Sequence, residues 1–167
     1  ATENRVAHAA LQDLRDRAAE EQQSIQALQK ALDSAQEHAR HDALTQCLNA
    51  KGLEEGLERE MARANRYHAP LSLASLTLEG LHALEQAAGA ALLDQAQRHL
   101  AMVARSILRP QDLLARDSPG HFFLVLPAAS VDEALQALVR LQEELVRRPL
   151  LSEDEKIPLH LSAGVVQ

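Results

Sequence analysis

Two side chains of opposite charge, three residues apart, are the first place where the sequence offers binding chemistry. Arg109 and Asp112 lie on either side of Pro110, whose ring stiffens the turn that holds them. A guanidinium can form paired hydrogen bonds with a phosphate and can stack on a purine ring. A carboxylate three residues later can accept hydrogen bonds from N–H donors of a ligand. The alternative is a local ion pair in which Asp112 caps the turn.

The surroundings of this pair are basic, although the chain as a whole is acidic. Arg105 and Arg116 lie nearby in the sequence, whereas the whole chain carries 17 Lys and Arg against 24 Asp and Glu, for a formal net charge of −7. Aromatic residues make up 2%. A nucleic-acid polymer needs a basic face and rings on which bases stack, so this class of partner is excluded. A small dianionic ligand at one basic patch is not excluded.

The compartment is indicated by what the sequence lacks. Its single cysteine, Cys47, excludes an internal disulfide and suits a reducing environment. The longest apolar runs, such as 122–126, are too short to cross a bilayer. We therefore expect no membrane segment in this chain, and a location in the cytoplasm or in the cytoplasmic part of a larger protein.

Residues 1–40 contain neither Gly nor Pro and repeat apolar residues every seven positions. The a positions are Leu11, Ala18, Ile25, Leu32 and Ala39, and the d positions are Ala7, Leu14, Glu21, Leu28 and Ala35. Such a narrow seam, with Glu21 as one polar break, predicts a coiled coil, most simply a parallel homodimer. The alternative is a single amphipathic helix packed on the following domain.

The remaining residues predict a mixed α/β domain. Residues 42–66 have helical spacing, 71–78 form an apolar run typical of a buried strand, and two helical stretches separated by Gly89 end before Pro110. Two strands surround the turn-forming residues 117–120. A helix over 131–146 and one alternating strand over 157–165 complete the order.

Several motifs in this order resemble those of GGDEF domains, the diguanylate cyclase family. Residues 41–49 (HDALTQCLN) resemble the family's opening D-x-L-T-G-L-x-N-R, and residues 109–122 overlay R-x-x-D-x-x-x-R-x-G-G-D-E-F without a gap. Residues 162–165 resemble S-x-G-V. The resemblance covers 41–167 and implies a palm-like α+β fold, with a central, mostly antiparallel sheet flanked by helices. It also implies that the chain ends before the family's closing helix and strand.

The chain departs from the family where the family binds metal. Active members condense two GTP molecules with divalent cations held by carboxylates, and hard oxygen ligands suit Mg²⁺. At the matching positions this chain has Thr77 and the signature residues Ser118, Pro119, Gly120, His121 and Phe122, of which Phe122 alone keeps the family residue. From these departures we expect a degenerate domain without catalytic residues, metal ligands, Mg²⁺ or cofactor, and therefore no enzyme.

By contrast, the resemblance implies that Arg109 and Asp112 keep a binding role, because R-x-x-D is the family's product-binding inhibitory site. It implies that cyclic di-GMP binds there, with Arg105 and Arg116 close by and Arg63 (or Arg66) brought by a neighbouring copy. The alternative for Arg63 and Arg66 is that they are solvated helix charges. We expect an inactive bacterial cyclic di-GMP receptor that signals through a coiled-coil dimer. One alternative is a ligand-independent module that docks an unidentified protein partner, and another is residual cyclase activity.

Overall fold

The computed structural model describes residues 2–153 and 155–167, with the side chains of residues 2–7, 9, 38, 87 and 88 outside the description. The chain divides into two compact units, Ala1–Ala39 and Arg40–Gln167. The first unit consists of helix α1 (Thr2–Arg40), so the long N-terminal helix is confirmed. The large apolar side chains of its seam are 52–71% exposed, at Leu11, Leu14, Ile25, Leu28 and Leu32. Ala7 of the seam lies outside the described side chains.

The second unit is an antiparallel sheet with helices. Its elements are α2 (Ala50–Tyr67), β1 (Leu71–Leu78), α3 (Leu81–Ile107), β2 (Leu113–Ser118), β3 (His121–Pro127), α4 (Val131–Arg147), β4 (Leu150–Ser152), β5 (Glu155–Ile157) and β6 (Leu161–Val166). The main sheet has the order β2-β3-β1-β6 with antiparallel neighbours, and β4 pairs with β5 separately. The predicted fold class is confirmed. No helix in the described parts of the chain is long and apolar enough to span a bilayer.

The core lies on one face of this sheet. Alternate residues of β1 are buried, and Leu76 pairs with Phe122 of β3 at the centre. Both side chains have no exposed surface. Helices α3 and α4 cover this face with Leu100 and Leu145, which are also fully buried. Full burial of one such side chain contributes about 1.5–3 kcal/mol to stability. The core of this domain, which has few aromatic residues, is therefore stabilised mainly by packing of aliphatic side chains.

The predicted helix over 42–66 begins later than its spacing suggested, at Ala50. Asn49 caps it, because its side-chain oxygen accepts a hydrogen bond from the Gly52 amide at 2.9 Å. In the preceding loop Asp42 accepts hydrogen bonds from the Thr45 amide and hydroxyl at 2.8 and 2.7 Å. Short polar side chains that bond to nearby backbone compete with helix formation, which explains the difference.

The predicted strand over 157–165 is interrupted in the structure. Its first part ends β5 at Ile157, and β6 begins at Leu161. Pro158 lies between them, and proline has no amide hydrogen to donate to a sheet. Gly89, predicted to separate two helical stretches, has a non-helical backbone with φ of 80° and ψ of 177°, so α3 consists of two helical segments that meet at a kink at this residue.

One partly buried polar cluster joins three segments of this unit. The Arg116 side chain pairs with Asp42 (Nη1 to Oδ1, 2.6 Å) and donates from Nε to Oε1 of Gln97 at 2.8 Å. The same Gln97 oxygen accepts from the Gly120 amide at 2.9 Å. The 42–48 loop, helix α3 and the β2–β3 turn are therefore connected through Arg116 and Gln97. We call these four residues the Arg116 cluster.

We expect Asp42→Asn to destabilise the domain at neutral pH by about 2 kcal/mol, the scale of a hydrogen bond to a charged group. Burial opposes ionisation of Asp42, but the hydrogen bonds from Thr45 and the Arg116 guanidinium prevail and lower the pKa of this carboxyl. Because the folded pKa lies below the unfolded one, the contribution is present above about pH 4 and is lost as the pH falls.

Urea unfolding of native protein and variant at pH 7 and near pH 3 measures this difference. The exposed Asp117→Asn is the matched control and should change little at either pH. An equal deficit of Asp42→Asn at both pH values would contradict the assignment.

Candidate functional site

The turn that carries Arg109 and Asp112 is built by reciprocal hydrogen bonds. Helix α3 ends at Ile107, before Pro110, which cannot continue a helix. Oδ2 of Asp112 then accepts from the Arg109 amide at 2.8 Å, and the Asp112 amide donates to the Arg109 carbonyl at 3.0 Å. Asp112 therefore caps the turn, as the alternative interpretation predicted. No ion pair between described residues involves Arg109, whose exposed guanidinium is left for another partner.

This turn opens on a hollow of about 60 Å³ between α3, β3 and α4. Its walls are Ile107, Leu108, Arg109, Asp112, Leu126, Ala129, Glu133, Ala137 and Arg140. Two guanidinium groups and two carboxylates thus surround an apolar floor. We call this the Arg109–Arg140 hollow. Its size admits one phosphate or one edge of a base, and the rest of a larger ligand would lie on the open surface.

Sequence reasoning missed Arg140 and Glu133. Both come from α4, on the same face as Ala137, because positions 133, 137 and 140 follow the i, i+4, i+7 spacing of a helix. That spacing was visible in the sequence. The sequence did not show that α4 lies beside the 109–112 turn, because Arg140 comes 31 positions after Arg109 in the chain.

The two carboxylates of the hollow have opposite environments. Burial raises the pKa of Asp112, against the Arg109 amide hydrogen bond and the positive charges of Arg109 and Arg140. Glu133 is exposed, and hydrogen bonds from the Ser130 amide and hydroxyl lower the pKa of its carboxyl. These bonds belong to the capping box that begins α4. Glu133 is therefore firmly ionised and already oriented.

Arg105 and Arg116, which the sequence grouped with Arg109, lie elsewhere in the structure. Arg105 donates to the Thr45 carbonyl at 2.6 Å and to the Cys47 sulfur at 3.4 Å. Arg116 belongs to the Arg116 cluster. Both guanidinium groups bind to the 42–48 loop. The expectation that Arg105, Arg109 and Arg116 form one basic patch around Asp112 is therefore wrong. Arg140 takes their place.

Arg63 is exposed on α2 and does not line the hollow. It lines a groove of about 380 Å³ together with Tyr67, Pro70 and Gln111. Gln111 immediately precedes Asp112, so this groove lies beside the same turn. Arg66, the alternative, lies on the neighbouring surface of α2 with Arg59. A role for Arg63 toward a ligand held by another copy stays a prediction.

The signature residues 118–122 form the tight turn between β2 and β3. Ser118 pairs with His121, which leaves Pro119 and Gly120 as the two turn residues, and Phe122 points into the core. Gly120 has φ of +76°, and a Cβ there would lie 1.8 Å from Cδ1 of Leu81. The turn therefore requires glycine at position 120.

Side chains at this end of the sheet do not fit a Mg²⁺ ion. The Thr77 hydroxyl lies 3.4 Å from Nδ1 of His121, and Glu79 accepts a hydrogen bond from Ser162. Within residues 2–153 and 155–167, leaving aside the undescribed side chains, no three His, Cys, Asp or Glu converge closely enough to hold a metal. That the protein works without Mg²⁺ stays a prediction.

Comparison with known proteins gives a consistent result. A family model described as diguanylate cyclase, GGDEF domain, matches residues 39–167. Diguanylate cyclase DgcP of Pseudomonas aeruginosa is 30% identical over 155 residues, which are 93% of this chain and 23% of that protein. Probable diguanylate cyclase DgcE of Escherichia coli is 33% identical over 112 residues, 67% of this chain and 10% of that protein. The chain spans about a quarter or less of these relatives.

Solved structures agree on the fold. The coiled coil and GGDEF domain of DgcB from Caulobacter crescentus, in complex with cyclic di-GMP, has a TM-score of 0.82 at 22% identity and covers 91% of this chain and 81% of that one. A microbial GGDEF domain whose interaction with cyclic di-GMP has been solved has a TM-score of 0.66 at 30% identity, over 78% of both chains.

These comparisons correct one expectation. The sequence predicted that the chain is not an enzyme, but the family model and the relatives are named for diguanylate cyclases and point to a cyclase. The prediction was drawn from residue types at a few positions. Family membership rests on the residue pattern over 39–167, so residue types at those few positions do not overturn it.

We expect Gly120→Ala to destabilise the domain by about 2–4 kcal/mol, because the new methyl group overlaps Leu81 and the positive φ is unfavourable for alanine. Gly80→Ala is the matched control. Gly80 has φ of +71°, but nothing lies within 4 Å of an added Cβ, so it should lose only about 1 kcal/mol. Chemical denaturation of both variants makes the comparison, and equal losses would show that the Leu81 contact is unimportant.

Proposed function

This chain belongs to the GGDEF family of diguanylate cyclases, and on that premise we propose that its domain is a receptor for cyclic di-GMP, bound at Arg109, Asp112 and Arg140. The observation that carries this proposal is the Arg109–Arg140 hollow, where two guanidinium groups and a partly buried carboxylate converge. No ion pair between described residues involves either arginine.

The chemistry of the hollow suits the two halves of this ligand. Each guanidinium can bind a phosphate oxygen pair, and together Arg109 and Arg140 match the two negative charges of the dinucleotide. Asp112 can accept N–H donors from the guanine edge, and the apolar floor can contact the base or sugar. The solved complexes of other GGDEF domains with cyclic di-GMP support the proposal, since one shares 30% identity with this chain.

The proposed receptor is a homodimer formed through α1. Five large apolar side chains of the heptad seam are at least half exposed on this helix. Leaving such side chains in water forgoes about 1.5–3 kcal/mol each, which a second parallel copy would recover. In such a dimer Arg63 of a neighbouring copy could contribute to the ligand, as a stacked pair of molecules would require.

A second candidate is synthesis of cyclic di-GMP, which the family match and the names of the relatives favour. Incubation with GTP and Mg²⁺ followed by chromatography of the products tests it. Cyclic di-GMP in the products supports this candidate, and unchanged GTP contradicts it. The two candidates are compatible, because they involve different ends of the sheet.

We expect Arg109→Ala to weaken cyclic di-GMP binding at least tenfold, because it removes charge-assisted hydrogen bonds to a phosphate. Arg140→Ala should have an effect of similar size. Isothermal titration calorimetry measures both, with the exposed Arg98→Ala of α3 as a control that keeps native affinity. An absence of heat with native protein would contradict the proposal and is what a ligand-independent docking module predicts.

We expect Leu28→Ser to shift the protein toward monomer, because each seam layer of a dimer contains this side chain twice and loses about 2 kcal/mol per copy. Gln26→Ser, outside the seam on the same helix, is the control. Sedimentation velocity over a concentration series reports the change. Identical dimerisation of both variants would exclude the α1 seam as the interface.

A further inference from the structure

Glu21 occupies a d position of the α1 seam, in which every other position from 11 to 39 is apolar. From Leu14 to Ile25, about 16 Å along the helix axis, the seam contains only Ala18 and Glu21. An alanine buries little apolar surface, and a carboxylate is costly to bury. The seam therefore lacks two successive large apolar layers at this point.

The charge of Glu21 is not neutralised within α1. Arg17, one helical turn earlier, is the basic residue closest to it on that face, and the Arg17 guanidinium pairs with Asp13 at 3.0 Å. The residues one turn later, Ser24 and Ile25, are uncharged. No ion pair between described side chains involves Glu21, which is exposed on the single helix.

A parallel, in-register dimer would bring two Glu21 side chains together. In such a dimer a d residue packs against the same d residue of the second copy, next to an e residue, which here is the uncharged Gln22. The charged groups around this layer are then the two Glu21 carboxylates and the two Arg17 guanidinium groups that Asp13 engages. Two like charges in a partly dry seam repel each other, and salt screens the repulsion.

This layer separates two apolar segments of unequal strength. The segment on its C-terminal side contains three large seam residues, Ile25, Leu28 and Leu32, whereas the segment on its N-terminal side contains two, Leu11 and Leu14. All five side chains are more than half exposed on the single helix, so both segments gain from pairing. Because pairing is cooperative between packed neighbouring layers, a gap in the seam lets the weaker segment separate first.

We propose that Glu21 is a conformational break in the α1 dimer, at which residues 10–20 separate while residues 25–35 stay paired. This inference rests on the proposed homodimer through α1 and adds the place where that dimer opens. An input that acts on the N-terminal part of the helix would then change its pairing without dissociating the two copies.

Hydrogen–deuterium exchange of the whole chain, followed by mass spectrometry, tests the break. In native protein we expect faster amide exchange over residues 10–20 than over 25–35. Glu21→Leu fills the missing layer, so it should slow exchange over 10–20 at least about tenfold and leave 25–35 within about twofold of native. Raised salt should slow exchange over 10–20 in native protein, because it screens the two carboxylates.

Two variants with the same change of charge separate the seam from the rest of the helix. Glu21→Gln removes the repulsion without filling the layer, so residues 10–20 should lose their salt dependence and still exchange faster than 25–35. Glu20→Gln is the matched control, because Glu20 lies on the same helical turn at position c, outside the seam. It should keep the native salt dependence.

Equal slowing of both segments by Glu21→Leu would show that the coil opens as one unit, and equal effects of Glu20→Gln and Glu21→Gln would assign the effect to helix charge. Either result overturns the inference. Sedimentation velocity separates it from the proposed dimer. If native protein dimerises and Leu28→Ser prevents this, but exchange is uniform along α1, the dimer stands and the break fails. If native protein is monomeric, both fail.

Discussion

The second unit depends on the ion pair between the partly buried guanidinium of Arg116 and Asp42. A buried charge is costly unless it is paired and hydrogen-bonded, and here Asp42 and Gln97 provide both. Because these partners come from the 42–48 loop and from α3, the charge of Arg116 is paired only when the loop, the helix and β2 are all in place. Gln97 extends the constraint to the amide of Gly120, and so to the signature turn.

This requirement also divides the arginines between structure and binding. Arg105 and Arg116 hold the 42–48 loop from two sides, with donors aimed at Thr45 and Asp42. Arg109 lies beyond the end of α3, where the backbone has turned away, and no ion pair between described residues involves its side chain. Three arginines that look alike in the sequence thus have different roles, because helical and extended backbone point their side chains in different directions.

The Arg109–Arg140 hollow is assembled from parts that are individually ordinary. A proline-terminated helix provides the turn, a capping box orients Glu133, and an amphipathic helix brings Arg140. Their convergence places paired charges of both signs around an apolar floor, and this combination suits a ligand that is anionic and carries N–H donors. The same fold occurs in GGDEF domains solved with cyclic di-GMP.

The sequence by itself determined the elements with strong periodicity and the motifs whose order identified the family. The β1 run, the 131–146 helix, the long first helix and the R-x-x-D turn were all legible, because each is governed by local spacing. The prediction from sequence was wrong where apolar spacing competed with other local effects. The 42–49 loop follows side-chain hydrogen bonds instead of its helical spacing, and Pro158 divides one alternating run. Only the tertiary structure decided which arginines face a ligand and that Arg140 and Glu133 join them, because these contacts arise between segments distant in the chain.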